Sequence, residues 1–219
     1  MLLNVCVRGR YLDRFKMILA GVQLAEKTNK YMVIWWPREK GKMEYGLQEI
    51  ISITSIPRLV RIVEEEMIGD YSMFQEWYSK KHENPRISNT LIRQIRLRPE
   101  IYGASEKIFR EYSCTTNWPA VVIGKREESE KYQRTIGKVT NGPFWLSTED
   151  EKVEEEFKDY YGGACVTGDR TYYNSETAEG QMYEIVEWSL LHKFNTILGN
   201  SLMAKSIAAR SGAKIIPML

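Results

Sequence analysis

The sequence predicts an α/β protein whose mostly parallel sheets are flanked by helices. The first observation is a strand-like apolar run, an amphipathic helix and a second strand-like run within residues 2–36. Strand, helix and strand with short connections form a βαβ unit, in which the two strands are parallel. The second observation is that the same alternation returns between residues 120 and 216. A chain of 219 residues has room for one large domain or two small ones.

The first elements are a buried strand at residues 2–7 and a turn with two cations at residues 8–10. A helix is predicted from Tyr11 to about Thr28, and Asn29 is a residue type that commonly ends helices. The apolar side chains of this helix recur on one face with a 3.6-residue period; they are Tyr11, Phe15, Ile18, Val22 and Ala25. Residues 31–36 form the second strand, which Pro37 closes.

The middle of the chain has a weaker pattern. Residues 47–53 and 58–63 are apolar without a clear period, and a helix is predicted for residues 71–81. Residues 80–85 form the most polar connection of this region. We therefore predict a domain boundary there, with one domain at residues 1–84 and a second at residues 85–219.

The second half is predicted to alternate strands and helices. Pro99 opens a helix that runs to about Tyr112, since proline is favoured in a first helical turn. Thr148 is predicted to cap an acidic helix at residues 149–160, whose acidic side chains at 149–156 are expected to face water. The remaining predicted strands are 120–123, 144–147, 164–166, 196–199 and 214–216, and the remaining helices are 180–194 and 202–211.

Composition excludes several classes of protein. The net charge is +2, so the chain lacks the strong basic excess of most nucleic-acid-binding proteins. The arginines at 86–98 keep nucleic-acid binding as an alternative hypothesis. Three widely spaced cysteines indicate reduced thiols and a cytoplasmic location. No set of histidines, cysteines and carboxylates has zinc-ligand spacing, so no metal site is expected. No run approaches the ~20 apolar residues of a membrane helix, and no signal peptide is recognisable.

Candidate binding groups follow three of the predicted strands. Open parallel sheets bind ligands beyond the carboxyl ends of their strands, which is where these groups lie. They are Arg8-Gly9-Arg10 with Asp13 and Arg14 in the next turn, Gly124-Lys125-Arg126, and Gly199-Asn200-Ser201. Backbone N–H groups at helix starts, together with side-chain cations, suit an anion such as a phosphate. Each segment also has a plain interpretation, as solvated surface cations or as an ordinary helix cap.

An ordered set of segments resembles the fucosyltransferase-like glycosyltransferases, which include nodulation fucosyltransferases, α-1,6-fucosyltransferases and protein O-fucosyltransferases. Residues 10–15, the helix after them and the strand ending in Trp36-Pro37 are similar to the opening of that family. Residues 97–101 and 121–128 resemble the stretch leading into its H-x-R-R-x-D motif, and residues 144–150 resemble its F-x-S-T-D-D stretch. Residues 179–209 resemble its last motif.

This resemblance implies two Rossmann-like halves of GT-B-like form, with a nucleotide sugar, typically GDP-fucose, bound in the cleft between them. It implies that Lys125 and Arg126 neutralise the diphosphate. The other donor-binding residues that it implies are Arg10, Arg14 with Asp13, Glu187, Asn200 and Ser201. No cofactor other than the donor is implied.

The implied reaction is an inverting, metal-independent sugar transfer to a hydroxyl of an unknown glycan, protein or small molecule. Positive groups would stabilise the leaving diphosphate, and a carboxylate would accept the acceptor proton. Asp13 and Glu128 are the two candidates for that base. The family histidine falls on Ile123, so the alternative is a catalytically degenerate relative that binds a nucleotide sugar or a partner without turnover.

Overall fold

The computed structural model describes residues 1–42, 44–64, 70–80, 94–123, 129–169, 176–200 and 202–217. The chain divides into two compact units: Met1–Ile101 with Asn174–Ile185, and Tyr102–Tyr173 with Val186–Leu219. The predicted boundary at residues 84 and 85 lies outside the described residues. The first unit extends to Ile101 because a bridge between Ile51 and Leu97, and a hydrogen bond from Arg98 N to Ile50 O of 2.9 Å, tie this stretch to it.

The first unit contains a three-stranded parallel sheet in the order β1-β2-β3. Its strands are β1 (Leu2–Cys6), β2 (Tyr31–Trp35) and β3 (Leu59–Val63). Its helices are α1 (Tyr11–Lys27), the short α2 (Leu47–Ile50) and α3 (Ser72–Lys80), with a 3-10 turn at Ile53–Ser55.

Helices α1 and α3 both pack against β1 of this first sheet. Gly21 of α1 lies so close to β1 that a Cβ there would come within 2.8 Å of the Val5 side chain. The neighbouring Asn4 donates from Nδ2 to Asp70 O at 3.1 Å, just before α3. The two helices also contact each other.

The second unit contains a five-stranded parallel sheet in the order β6-β5-β4-β7-β8. Its strands are β4 (Pro119–Ile123), β5 (Phe144–Thr148), β6 (Cys165–Val166), β7 (Thr196–Leu198) and β8 (Lys214–Ile216). The helices are α4 (Pro99–Glu111), α5 (Ser129–Val139), α6 (Glu151–Tyr161), α7 (Ala178–Leu191) and α8 (Leu202–Ser211). Of these, α4 and α7 begin in the first unit and end in the second. The predicted α/β class, with parallel sheets flanked by helices, is confirmed.

The core of the second unit explains why β4 and β5 are buried along their whole length. Apolar side chains from α5 and α6 pack on these central strands. Residues 119–123 of β4 and 144–146 of β5 accordingly form apolar runs in the sequence. The cluster consists of Val121, Ile123, Tyr132, Ile136, Phe144, Leu146, Val153, Phe157, Cys165 and Leu198.

Two sequence expectations about α6 were wrong. The helix is capped by Asp150, whose carboxylate accepts from Lys152 N at 3.0 Å, whereas Thr148 accepts from Asp150 N at 3.2 Å. Glu154 lies on the acidic stretch expected to face water, yet only 4% of it is exposed. Its carboxylate accepts from Lys158 Nζ at 2.6 Å and from Thr167 Oγ1 at 2.9 Å, and these contacts compensate its burial.

The three cysteines are free and buried. Burial raises the pKa of the Cys114 thiol to about 11 and that of the Cys165 thiol to about 12, so both stay protonated at neutral pH. Among the described residues, no helix is long and apolar enough to cross a membrane.

His192, just after α7, makes the stability of the second unit sensitive to acid. Its ring lies edge-on to Trp188 at 4.3 Å between centroids, and Nε2 is buried without a hydrogen-bond partner in the described part of the chain. Burial, together with the charge of Arg210, lowers the pKa of His192 to about 3. The unfolded imidazole takes up a proton near pH 6.5. Between that pH and pH 3 the unfolded state therefore binds more protons than the folded state.

We expect the contribution of His192 to the free energy of unfolding to be fully present above about pH 6.5. It should fall as the pH drops towards 3, by at most about 1.4 kcal/mol per pH unit. Urea denaturation at several pH values measures this for the unchanged protein and for His192→Phe. The variant should lose the His192 share of the acid dependence. Identical pH dependence in both proteins would contradict the role of His192.

Candidate functional site

The sheet of the second unit changes direction between β4 and β7. The chain moves outward from β4 through β5 to β6 and then crosses back to add β7 and β8 on the other side. At such a reversal the connections leaving two neighbouring strands turn to opposite faces, which opens a crevice at their carboxyl ends where ligands bind. The ends of β4 and β7 therefore define the candidate site of this unit.

Gly199 leaves no room for a side chain where the chain passes from β7 to α8. A Cβ on this residue would come within 2.8 Å of the Val122 carbonyl oxygen and 3.0 Å of the Ala204 Cβ. Such contacts exclude a side chain unless the backbone moves. Gly199 N also donates to Ile216 O of β8 at 3.2 Å, which fixes the end of β7 from its other side.

The helix that follows β7 starts at this same edge. Only residues 199–201 separate β7 from Leu202, where α8 begins. The first turn of α8 carries no acidic residue. The partial positive charge at the start of a helix favours an anion. Asn200 lies here and is exposed, in agreement with its predicted place in a strand-to-helix turn.

Four of the sequence-predicted site residues cannot be placed: Lys125, Arg126, Glu128 and Ser201 lie outside the described residues. In the sequence, residues 124–128 connect the last residue of β4 to the first residue of α5. The predicted roles of these residues stay predictions, and so does their convergence on one pyrophosphate.

Glu187 of α7 lies in the interior of the second unit, only 4% exposed. Its Oε1 accepts a hydrogen bond of 3.2 Å from the indole Nε1 of Trp145, the second residue of β5. Trp145 and Trp188 are core residues, at 0% and 2% exposed. The predicted contact of Glu187 with a nucleoside stays a prediction.

The first unit has its own carboxyl edge, where β1 leads into α1. Gly9 turns the chain with a φ of 83°, a conformation that favours glycine. Arg10 is the residue before the helix, and its carbonyl accepts from Arg14 N at 3.0 Å. Asp13 lies in the first helical turn, with a half-exposed carboxylate 3.2 Å from Lys16 Nζ. The predicted roles of Arg10 and Asp13 at a donor site stay predictions.

Arg14 points into the first unit, and only 4% of it is exposed. Its Nε donates to Gly9 O at 2.9 Å and its Nη1 donates to Pro37 O. The guanidinium carbon also lies 4.9 Å from the centre of the Trp36 ring. Burial lowers the pKa of Arg14 below its ordinary value. The geometry therefore shows Arg14 joining the loop after β1 to the loop after β2.

Further hydrogen bonds and an ion pair hold the loop after β2. The Tyr11 hydroxyl accepts from Tyr45 N at 3.0 Å, and Trp36 Nε1 donates to Tyr45 O at 3.0 Å. Burial raises the pKa of Tyr11 to about 12, so its hydroxyl stays neutral. Arg38 pairs with Glu64 at 2.8 Å beyond β3. Sequence inspection missed this network because its partners are mostly backbone atoms, which leave no pattern of residue types.

Tyr132 of α5 is another residue that sequence inspection missed. It is 0% exposed, and its hydroxyl donates to Val122 O at 2.9 Å, beside Gly199. The signal was present, since Tyr132, Ile136 and Val139 recur at helical spacing within a polar stretch. Across the described residues, no group of three or more histidine, cysteine or acidic side chains is placed to hold a metal ion.

Comparison with solved structures gives the same fold. The chain aligns with fucosyltransferase NodZ from Bradyrhizobium with a TM-score of 0.66, at 13% identity, covering 94% of this chain and 91% of that chain. A NodZ α-1,6-fucosyltransferase crystal soaked with GDP-fucose gives a TM-score of 0.65 at 12% identity, with the same coverage. POFUT1 in complex with GDP gives 0.62 at 9% identity, covering 99% of this chain and 98% of that chain.

By sequence, no family model and no curated protein matches the chain. The ordered motifs nevertheless predicted the fold that the structural comparison finds. At these identities the likeness concerns the fold alone. The chain has the fold of the fucosyltransferases NodZ and POFUT1.

Proposed function

We propose that this chain is a glycosyltransferase that binds a nucleotide sugar, with GDP-fucose as the first candidate, and transfers the sugar to an acceptor hydroxyl. The observation that carries the proposal is the edge between β4 and β7. There, the glycine turn at Gly199 and the start of α8 lie beside the strand that leads into Lys125 and Arg126. Solved structures of the same fold contain GDP or GDP-fucose.

The proposed chemistry follows from the charges at this edge. Breaking the sugar–diphosphate bond passes through an oxocarbenium-like state while negative charge grows on the diphosphate. Lys125, Arg126 and the N–H groups at Ser201 and the start of α8 would stabilise that charge, by about 3–4 kcal/mol for each well-placed donor. In this proposal these charges would perform the task without a metal ion.

The proton of the acceptor hydroxyl needs a base, for which Asp13 and Glu128 are the candidates. Asp13 has a half-exposed carboxylate that an acceptor can reach. Attack from the face opposite the leaving diphosphate would invert the configuration at the sugar carbon. The acceptor class, whether glycan, protein or small molecule, is left to the experiment.

One observation favours the second candidate, a relative that binds a nucleotide sugar without transferring the sugar. The position of the family histidine holds Ile123, which is apolar and 4% exposed at the end of β4. An isoleucine offers neither a proton nor a hydrogen bond to the reacting groups. The two candidates therefore share the binding step and differ only in turnover.

Calorimetry with GDP, GDP-fucose and UDP tests the binding step. We expect GDP and GDP-fucose to bind with or without a chelator, and UDP to bind at least tenfold more weakly. Absence of binding to every nucleoside diphosphate would refute both candidates. Release of GDP from GDP-fucose with a panel of acceptors then separates them: release supports the transferase, and binding without release supports the degenerate relative.

A further inference from the structure

Exposed apolar side chains gather at the amino end of the first sheet. Leu2 is the first residue of β1, Tyr31 the first of β2 and Val60 the second of β3. The three strands are parallel and therefore start at one edge of the sheet, where Leu2 and Tyr31 are register partners. Each of these three residues is more than half exposed. Met73 of α3 joins them, since its Sδ lies 3.1 Å from the Nζ of Lys30, the residue before Tyr31. We call Leu2, Tyr31, Val60 and Met73 the apolar patch.

Basic side chains border the apolar patch. Arg58 Nη1 donates to Lys30 O at 3.3 Å and to Asn29 Oδ1 at 3.1 Å, so Lys30 and Arg58 lie together at this edge. The acidic Asp70 is already engaged at the start of α3, where its Oδ1 accepts from Ser72 N at 2.8 Å. In the runs 26–31, 58–61 and 70–73, the basic residues are Lys27, Lys30, Arg58 and Arg61 and the acidic ones are Glu26 and Asp70. The local charge around the patch is therefore positive.

The size and the charge of the patch favour an anionic lipid surface over a second copy of the chain. A stable protein–protein interface buries about 800 Å² and about 20–30 residues on each partner, far more than four apolar side chains supply. Peripheral binding to a bilayer needs less, because a few apolar side chains enter the headgroup region while cations attract anionic lipids. Tyrosine is typical of that interface, and long basic side chains reach lipid headgroups from its edge.

We propose that the amino end of the first sheet docks on the surface of an anionic lipid bilayer. The apolar patch enters the headgroup region, and Lys30 and Arg58 face the lipid phosphates. The carboxyl edge of the same sheet, where Asp13 follows β1, lies at the opposite ends of the strands. Docking therefore leaves that edge free for an acceptor. The interaction does not depend on the proposed nucleotide binding.

Sedimentation with sucrose-loaded vesicles tests this docking with the full chain. We expect binding to vesicles made of equal amounts of phosphatidylcholine and phosphatidylglycerol, and binding at least about tenfold weaker to phosphatidylcholine alone. Tyr31→Ser should weaken binding to the anionic vesicles at least about fivefold, because it removes apolar surface from the patch. Tyr160→Ser is the matched control, since Tyr160 is an even more exposed tyrosine on α6 of the second unit. It should change binding less than about twofold.

Charge reversal tests the electrostatic part of the proposal. Lys30→Glu should weaken binding to the anionic vesicles at least about threefold, whereas Lys131→Glu, exposed on α5, makes the same change in net charge and should have a smaller effect. Urea midpoints show whether the variants are folded; if Tyr31→Ser does not fold, the lysine pair decides.

Three results would overturn the proposal. They are no binding to anionic vesicles at low salt, equal binding to both kinds of vesicle, and equal losses for the patch variants and their controls. A dimer in analytical ultracentrifugation that Tyr31→Ser dissociates, without vesicle binding, would assign the patch to a second copy of the chain instead. Failure on vesicles leaves the proposed nucleotide binding standing, since calorimetry measures that separately.

Discussion

Replacing Lys125 and Arg126 together by alanine is expected to weaken GDP binding at least about 100-fold. A hydrogen bond between a charged donor and a phosphate oxygen contributes about 1.5–3 kcal/mol, and two such contacts would be lost. A factor of ten in affinity corresponds to about 1.4 kcal/mol. Isothermal titration calorimetry with GDP measures the loss, and the urea midpoint is expected to stay close to that of the unchanged protein.

Lys131→Ala/Arg134→Ala is the matched control for this double variant. It removes the same two residue types from the same unit, and both side chains are exposed on α5. Arg134 pairs only loosely with Glu130, at 3.7 Å. Exposed charges beyond a Debye length of about 8 Å are largely screened at physiological salt, so the control should change GDP affinity less than about threefold. Equal losses in the two double variants would mean that net charge, rather than a diphosphate site, determines binding.

The sequence predicted well those elements that are buried along their whole length. Strands β4 and β5 are apolar runs between turn signals, and both were predicted within one residue of their observed bounds. Helix α1 was predicted because its buried apolar side chains, between Tyr11 and Ala25, recur with a 3.6-residue period. Burial therefore left a pattern of residue types that could be read directly.

Elements without that pattern were missed. β3 lies at an edge of its sheet, and Val60 and Arg61 are both exposed, so its mostly apolar residues show no clear period. α5 is polar except for one narrow stripe that includes Tyr132 and Ile136, and it was not predicted. The burial of Glu154 depended on Thr167, a residue brought near it only by the folded chain.

The candidate site was predictable to the extent that it depends on local sequence. Gly199 and the start of α8 form a strand–glycine–helix connection, which can be read from consecutive residues. The strand order that makes this connection part of a crevice depends on pairing between β4 and β7, which are more than 70 positions apart in the sequence. Neighbouring residues in the sequence do not predict that pairing. They do not predict the contact between Arg14 and Pro37 either.

Arg14→Met is expected to lower the free energy of unfolding by about 2–4 kcal/mol. Methionine keeps much of the aliphatic length but leaves the carbonyl oxygens of Gly9 and Pro37 without the donors that they now have. A buried acceptor that loses its partner costs about 1–3 kcal/mol. The loss of the contact with Trp36 adds to this cost. Urea denaturation followed by tryptophan fluorescence measures the change in the full chain.

The same variant decides between the two roles considered for Arg14. As a clamp between two loops, its removal lowers stability first and GDP affinity only as a consequence. As a direct donor-binding residue, its removal would weaken GDP binding and leave the unfolding midpoint unchanged. Lys16→Met on the same helix is the control, because its exposed pair with Asp13 contributes at most about 1 kcal/mol. The 4% exposure of Arg14 favours the clamp, since a guanidinium already surrounded by protein has little surface left for a phosphate.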